Sequence, residues 1–157
     1  MRVRGVISAM ASEIRESVSR RLWHASERMP SELRCAHLLL SEANIRSTGP
    51  VRLHGRVDQV YRLDYGRGEL MLVDSKMRRR DRVELEDVMQ LSAYALILRL
   101  SPLCGHEDAS VSNRGYLRFV WGGVSRYRQV SLYPKGVVLS AYREYIAKNH
   151  REAGDDK

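Results

Sequence analysis

The apolar positions Ile7, Ala11, Ile14, Val18, Leu22 and Ala25 recur at helical spacing, with Arg and Glu between them, and predict a first helix over residues 6–25, ended before Pro30. Residues 32–45 are rich in Leu and are expected to finish as a strand, followed by the turn signal Ser47-Thr48-Gly49-Pro50. Over residues 51–63 the period changes to two. Leu53, Val57, Tyr61 and Leu63 share one predicted face, and His54, Arg56, Asp58 and Val60 the other. Asp64-Tyr65-Gly66-Arg67-Gly68 then reads as a hairpin loop. Residues 69–76 contain Leu70-Met71-Leu72-Val73, a short apolar run expected of a buried central strand. Residues 83–100 form a helix candidate with Leu85, Val88, Met89, Ala95 and Leu96 available for packing, ended by Pro102 and Gly105. Strands over 116–121 and 126–133 flank Gly122-Gly123, and an amphipathic helix over 136–149 closes the chain. The pattern is an α/β fold in the order αβββαββα.

The hairpin brings particular side chains together. If Leu63 and Glu69 close it, Asp58 falls opposite Asp74 and Arg56 opposite Lys76. Like charges facing each other across a hairpin are destabilising unless something intervenes, and a divalent cation, which takes hard oxygen ligands, is the natural candidate. The alternative is a plain ion-pair network with Arg56 or Lys76. Lys76 lies two residues after Asp74, so both project from one face of the strand. There a lysine can meet the same phosphate, orient or deprotonate a nucleophile, or stabilise charge developing in a transition state.

Composition narrows the class. The 157 residues suit a single domain, and 43% hydrophobic with 29% charged residues is ordinary for a globular chain. The net charge of +8 suggests a polyanionic partner, and 23 of the 27 basic residues are Arg, whose planar fork binds phosphate oxygens in pairs. A solvated basic surface is the competing explanation. Cys35 and Cys104 are the only cysteines and form no CxxC arrangement, so this chain cannot assemble a structural zinc site or an iron-sulfur cluster. The longest apolar run, residues 93–98, is far shorter than a membrane span, and the start lacks a secretory apolar segment, so no membrane association and a cytoplasmic location are expected.

Gly55-Arg56-Val57-Asp58, Val73-Asp74-Ser75-Lys76 and Gln90-Leu91-Ser92-Ala93-Tyr94 follow one another at a characteristic distance. Together they resemble the G-x-x-D strand, the hydrophobic (D/E)-x-K strand and the Q-x-x-x-Y helix of the RecB-like nucleases of the PD-(D/E)XK superfamily. The resemblance covers roughly residues 22–148 and implies a restriction-endonuclease-like core, a mixed central sheet flanked by helices; length and composition point to one domain over residues 1–150 with a disordered tail at 151–157. It implies Asp58 and Asp74 as metal ligands joined by the Ser75 carbonyl, Lys76 as the catalytic lysine, and Mg²⁺ or Mn²⁺ as the ion. Gln90 and Tyr94 would contact DNA or brace the site, and Arg78, Arg79 and Arg80 would clamp phosphates, unless that run is a solvated basic loop. The family often supplies a histidine from the first helix, where His24 lies; His37, Glu13 and Glu42 are rival contributors. His54 is expected to line the approach to the cleft. Trp121, Tyr127 and Tyr133 are read as core, with base stacking as the alternative.

The implied activity is metal-dependent hydrolysis of DNA phosphodiesters, as an exonuclease on single-stranded or end-containing DNA, with a helicase or repair partner and homodimerisation left open. Two alternatives stand beside it: a structure-specific junction resolvase, and a non-catalytic DNA-binding subunit of a repair or CRISPR-type complex. The chain is similar to the CRISPR-associated RecB-like exonucleases but lacks their four cluster-binding cysteines, which fits a cluster-free branch.

Overall fold

Leu63 and Glu69 do close the central hairpin, and the pairing continues through Arg62↔Leu70, Tyr61↔Met71 and Val60↔Leu72 to Gln59↔Val73. The computed structural model describes residues 28–48, 51–65 and 68–152, with side chains to residue 147; the helix expected over residues 6–25, with His24 and Glu13, lies outside the described residues. Among those described, the elements are α1 (Ser31–Arg34), β1 (His37–Arg46), β2 (His54–Leu63), β3 (Glu69–Lys76), α2 (Leu85–Leu100), β4 (Ser110–Val111), β5 (Arg114–Trp121), β6 (Val124–Ser131) and α3 (Lys135–Glu152). The described order follows the expected one from the first strand onward, with the two-residue β4 added.

The strands form one six-stranded mixed sheet in the order β1-β2-β3-β5-β6, with β4 also on β3. β1, β2 and β3 are antiparallel neighbours, β3 and β5 are parallel, and β5 and β6 form an antiparallel hairpin. A parallel pair needs a crossover connection, and α2 provides it. β3 is therefore central and buried on both sides. Leu70 and Leu72 join Val88, Leu91 and Ala95 of α2 in one core, while Met71 and Val73 join Leu33, Tyr61 and Tyr116 in the other. Among the described residues no helix is long and apolar enough to cross a membrane.

Two packing expectations need correction. Leu53 and Val57 do not share a face with Tyr61 and Leu63; they pack with Val60 in the core beneath α2, while Tyr61 and Leu63 lie in the opposite core. The alternation thus changes phase between Val57 and Val60. The change coincides with a distortion in β1: Glu42, which the register sets against Asp58, has φ 51°, and the Cα pairing passes over both residues. A non-glycine residue in the left-handed region interrupts the pleat at a cost of about 1–3 kcal/mol. Leu85 is the second correction, since it is 77% exposed. It occupies the first position of α2, ahead of the turns that pack on the sheet.

Candidate active site

Asp74 continues the phase of Leu70 and Leu72, so the last two turns of the β3 pleat carry Asp74 and Lys76 toward the start of α2. The β2–β3 pairing ends at Gln59↔Val73, one step before the two aspartates. Beyond that point the Asp58 carboxylate takes over: its Oδ2 accepts the Ser75 N–H at 2.6 Å. Asp58 and Asp74 therefore sit at the mouth of the hairpin. The expected pairing of Arg56 with Lys76 is not formed, because the ladder has ended; Arg56 instead pairs with Glu42 at 3.0 Å.

Asp74 is only 3% exposed. Lys76 Nζ lies 2.8 Å from its Oδ2, an ionic contact poorly aligned for hydrogen bonding, and among the described residues no donor completes a hydrogen bond to the buried Oδ2. Burial pushes the Asp74 carboxyl above its ordinary pKa, Asp58 and Asp87 add to the rise, and the Lys76 ammonium offsets only part of it. Burial alone would lower Lys76, but Asp74 and Asp87 outweigh it, so the net shift is upward and the ammonium form holds at neutral pH.

Asp87 is a member of the site that the sequence reading did not single out. It sits in the first turn of α2, where its Oδ2 accepts the Glu84 N–H at 3.1 Å, and its Oδ1 lies 3.5 Å from Lys76 Nζ. Burial would raise its pKa, but the Glu84 N–H, the Arg78 guanidinium and Lys76 together hold it below the usual carboxylate value. An acidic residue three positions into a helix was its visible signal, and that signal also marks ordinary capping.

A polar column continues up α2. Lys76 Nζ donates to Gln90 Oε1 at 2.7 Å, and Gln90 Nε2 donates to the Tyr94 hydroxyl at 2.8 Å. The spacing of four places Gln90 and Tyr94 on one helix face. The Tyr94 ring lies against Gly55, where an added Cβ would come within 2.5 Å of Cε1. Gly55, Tyr94, Gln90 and Lys76 thus form one contact chain, and the glycine of the Gly55-Arg56-Val57-Asp58 strand makes room for the tyrosine.

The basic run divides. Arg78 is held by Asp87, by Glu84 at 3.1 Å and by the Arg82 carbonyl at 2.7 Å, and its guanidinium lies 5.1 Å from the centre of the Phe119 ring. Arg79, Arg80 and Arg82 are exposed. Of the rival metal ligands, His37 pairs with Asp64 at 2.9 Å and Glu42 with Arg56, so neither is turned to the aspartates. His54 is exposed beside Gly55 and Arg56 in a separate surface recess. Among the described residues no three His, Cys, Asp or Glu side chains cluster as a metal cage. Tyr127 packs edge-on against Tyr116 at 6.3 Å and Tyr133 against the α2 core, whereas Trp121 is exposed.

No curated protein matches the sequence. Among solved structures, the one described as "Crystal structure of SSO0001" is similar, at 14% identity and a TM-score of 0.45. The match covers 89% of this chain and 60% of that one, so the chain spans less than two thirds of that relative's length. The sequence profile of the PD-(D/E)XK nuclease superfamily matches residues 2–153. With that match across nearly its whole length, and a mixed six-stranded sheet that sets two aspartates and a lysine at the mouth of its central hairpin, the chain belongs to the PD-(D/E)XK nuclease superfamily.

Proposed function

We propose that the protein is a divalent-metal-dependent deoxyribonuclease of the RecB-like branch, acting without an iron-sulfur cluster on single-stranded or end-containing DNA. The observation that carries this reading is the buried Asp74 carboxylate, whose Oδ2 meets Lys76 but completes no hydrogen bond among the described residues, and whose charge is felt by Asp58 at the open end of the hairpin. The superfamily typically uses divalent metals such as Mg²⁺, and two carboxylates completed by waters and substrate phosphate are a common Mg²⁺ ligand set. Asp58 and Asp74 fit that role as hard oxygen donors. Ser75 adds its carbonyl, because the N–H and C=O of one strand residue point to the same side and its N–H already faces Asp58. Mg²⁺ or Mn²⁺ held there supplies Lewis acidity at the phosphate and a nucleophile at neutral pH.

The remaining work falls to this chain's own side chains. Lys76 presents an ammonium toward the phosphate, where it offsets charge developing on the non-bridging oxygens. Gln90 fixes the lysine's position, and Tyr94 fixes Gln90. Arg79 and Arg80 are free to meet the backbone phosphates on either side of the cut, while Arg78 holds Asp87 and thereby the start of α2. The motif order Gly55-x-x-Asp58, Asp74-x-Lys76, Gln90-x-x-x-Tyr94 and the contact chain linking its members support the RecB-like reading over a junction resolvase.

The test is cleavage of linear single-stranded, linear duplex, circular and branched DNA with Mg²⁺ or Mn²⁺, comparing the wild type with Asp74→Ala and Lys76→Ala. Cutting confined to linear substrates and lost in both variants is the expected result. Metal-dependent activity that survives both substitutions would refute the site. Salt-sensitive DNA binding with no cleavage would identify a non-catalytic subunit.

A further inference from the structure

Past Lys76 the sheet carries a second feature that the chemistry above does not use. Lys76 is set against Phe119 in the parallel β3–β5 pairing, and adjacent strands lie about 4.8 Å apart. Trp121 follows two residues on, about 6.6 Å further along the same face of β5. It is paired with Val124 across a two-residue turn in which Gly122 and Gly123 have φ 58° and 76°. Both central residues of such a tight turn need positive φ, so the two glycines let the hairpin close directly on this pair. Trp121 and Val124 are 57% and 56% exposed, an apolar pair held in water at the tip of the β5–β6 hairpin.

That pair lines a cavity of about 350 Å³ together with Phe119, Arg78, Arg79, Asp81 and Arg126. Its wall nearest the candidate active site is Arg78, whose guanidinium faces Phe119 on one side and holds Asp87 on the other. The cavity is thus the next stop for a strand leaving Lys76. Its lining is two aromatic rings and a valine bordered by three arginines and Asp81. Asp81, the acidic member, is committed chiefly to Arg128 at 2.8 Å and lies 3.9 Å from Arg126, so the positive charge of the rim prevails.

We propose that this cavity is a base-stacking subsite for single-stranded DNA: the base of a nucleotide flanking the cut stacks on Trp121, and Arg79 and Arg126 meet its phosphates. The inference rests on the nuclease reading for the direction of the strand, but not for the binding itself. Aromatic platforms between basic side chains suit single strands, because every unpaired base has a π-face to offer, whereas duplex bases are already stacked on one another. The volume falls within the range of small-ligand sites, roughly 300–1,000 Å³.

The experiment measures metal-free binding, in EDTA, of three fluorescent probes: a short oligo-dT, an abasic strand of equal length and a matched duplex. Wild type, Trp121→Ala, Trp121→Phe and Arg126→Ala are compared. Trp121→Ala is expected to weaken oligo-dT binding about ten-fold or more while leaving the abasic strand and duplex within about two-fold, and Trp121→Phe to retain most of the affinity. Arg126→Ala weakens both single strands. Unchanged oligo-dT affinity in Trp121→Ala, or an equal loss on all three probes, overturns the proposal. Should Trp121→Ala fail to fold, the fluorescence difference between wild type and Trp121→Phe carries the test: quenching by oligo-dT but not by the abasic strand supports the subsite, and equal quenching by both refutes it. A parallel cleavage assay with Mn²⁺ keeps the two readings apart, since base-dependent binding without cleavage would sink the nuclease reading and leave the subsite standing.

Discussion

Replacing Gly55 by alanine tests the contact chain at its least chemical member. The added Cβ would stand 2.5 Å from Tyr94 Cε1, 3.2 Å from Cδ1 and 3.5 Å from Cζ. Carbon atoms rest at roughly 3.5–4.0 Å, so the ring must retreat by about 1 Å. Gly55 has no positive φ, which makes the cost steric and not conformational. Tyr94 packs against the core beneath α2, and overpacking of this kind costs about 1–3 kcal/mol. For a chain of this length that is a melting temperature lower by about 2–12 °C. A ring displaced by 1 Å also draws its hydroxyl off Gln90, now at 2.8 Å, and frees Gln90 from the geometry that holds Lys76. Misplacement on that scale lowers cleavage by up to about 100-fold. The assay is a double-mutant cycle in urea unfolding with Gly55→Ala, Tyr94→Ala and the pair. Once the ring is gone the methyl has nothing to strike, so Gly55→Ala should cost almost nothing in the Tyr94→Ala background, a coupling of about 1–3 kcal/mol. An equal cost in both backgrounds, within about 0.5 kcal/mol, refutes the reasoning.

Three further outcomes follow from the same geometry. Burial holds the folded-state pKa of Asp74 above its unfolded value, so its contribution is fully present below about 3.9 and is lost as pH rises through the folded pKa. Unfolding of the metal-free protein should therefore show the stability of Asp74→Asn gaining on wild type as pH rises across that interval; a constant difference contradicts the burial argument. Tyr116 is raised to about 12 by burial and by its hydrogen bond to Glu32. The wild-type minus Tyr116→Phe absorbance at alkaline pH should accordingly titrate near that value, with the linked stability present below about pH 10 and lost by about 12; a difference curve centred near 10 would count against it. Arg78→Ala should destabilise by about 1–3 kcal/mol by removing the guanidinium from the buried Asp87, which among the described residues keeps only the Glu84 N–H and Lys76. Arg79→Ala should stay within about 0.5 kcal/mol in unfolding yet reduce the salt slope of DNA binding by about one, and the reverse pattern would overturn the division of the basic run.

The legible part of this protein was local. Five loop residues between an alternating run and a short apolar run were enough to fix the register of β2 on β3, and the register then placed Asp58 beside Asp74 and Lys76 on the same face as Asp74. The illegible part depends on elements far apart in sequence. That Arg78 would turn from the phosphate path to Asp87 and Phe119 follows from where α2 and β5 meet. That Val57 would leave the face of Tyr61 coincides with a left-handed residue on the neighbouring strand, and φ at Glu42 is written in no hydrophobic pattern. The sequence signal that Asp87 carries, an acidic residue in the first turn of a helix, is that of a capping residue, and it is one. Its second role, facing Lys76, appears only when β3 is laid against the start of α2.

The distribution of compensation among the three carboxylates separates their roles. Asp87 receives a backbone N–H, an arginine and a share of Lys76, and its pKa falls below the ordinary value. Among the described residues Asp58 accepts the Ser75 N–H. Asp74, the most buried of the three, has one cation at an unfavourable angle, and its pKa rises. A structural ion-pair network would place its best partners around its most buried charge, because an uncompensated buried carboxylate is the costliest member. Here the order is inverted: the outer carboxylate is satisfied by the protein and the inner one is not. The least compensated carboxylate thereby lies next to Asp58, where the β2–β3 ladder stops. Lys76, bridging the satisfied and the unsatisfied carboxylate, is held where release from Asp74 would still leave it anchored by Asp87 and Gln90.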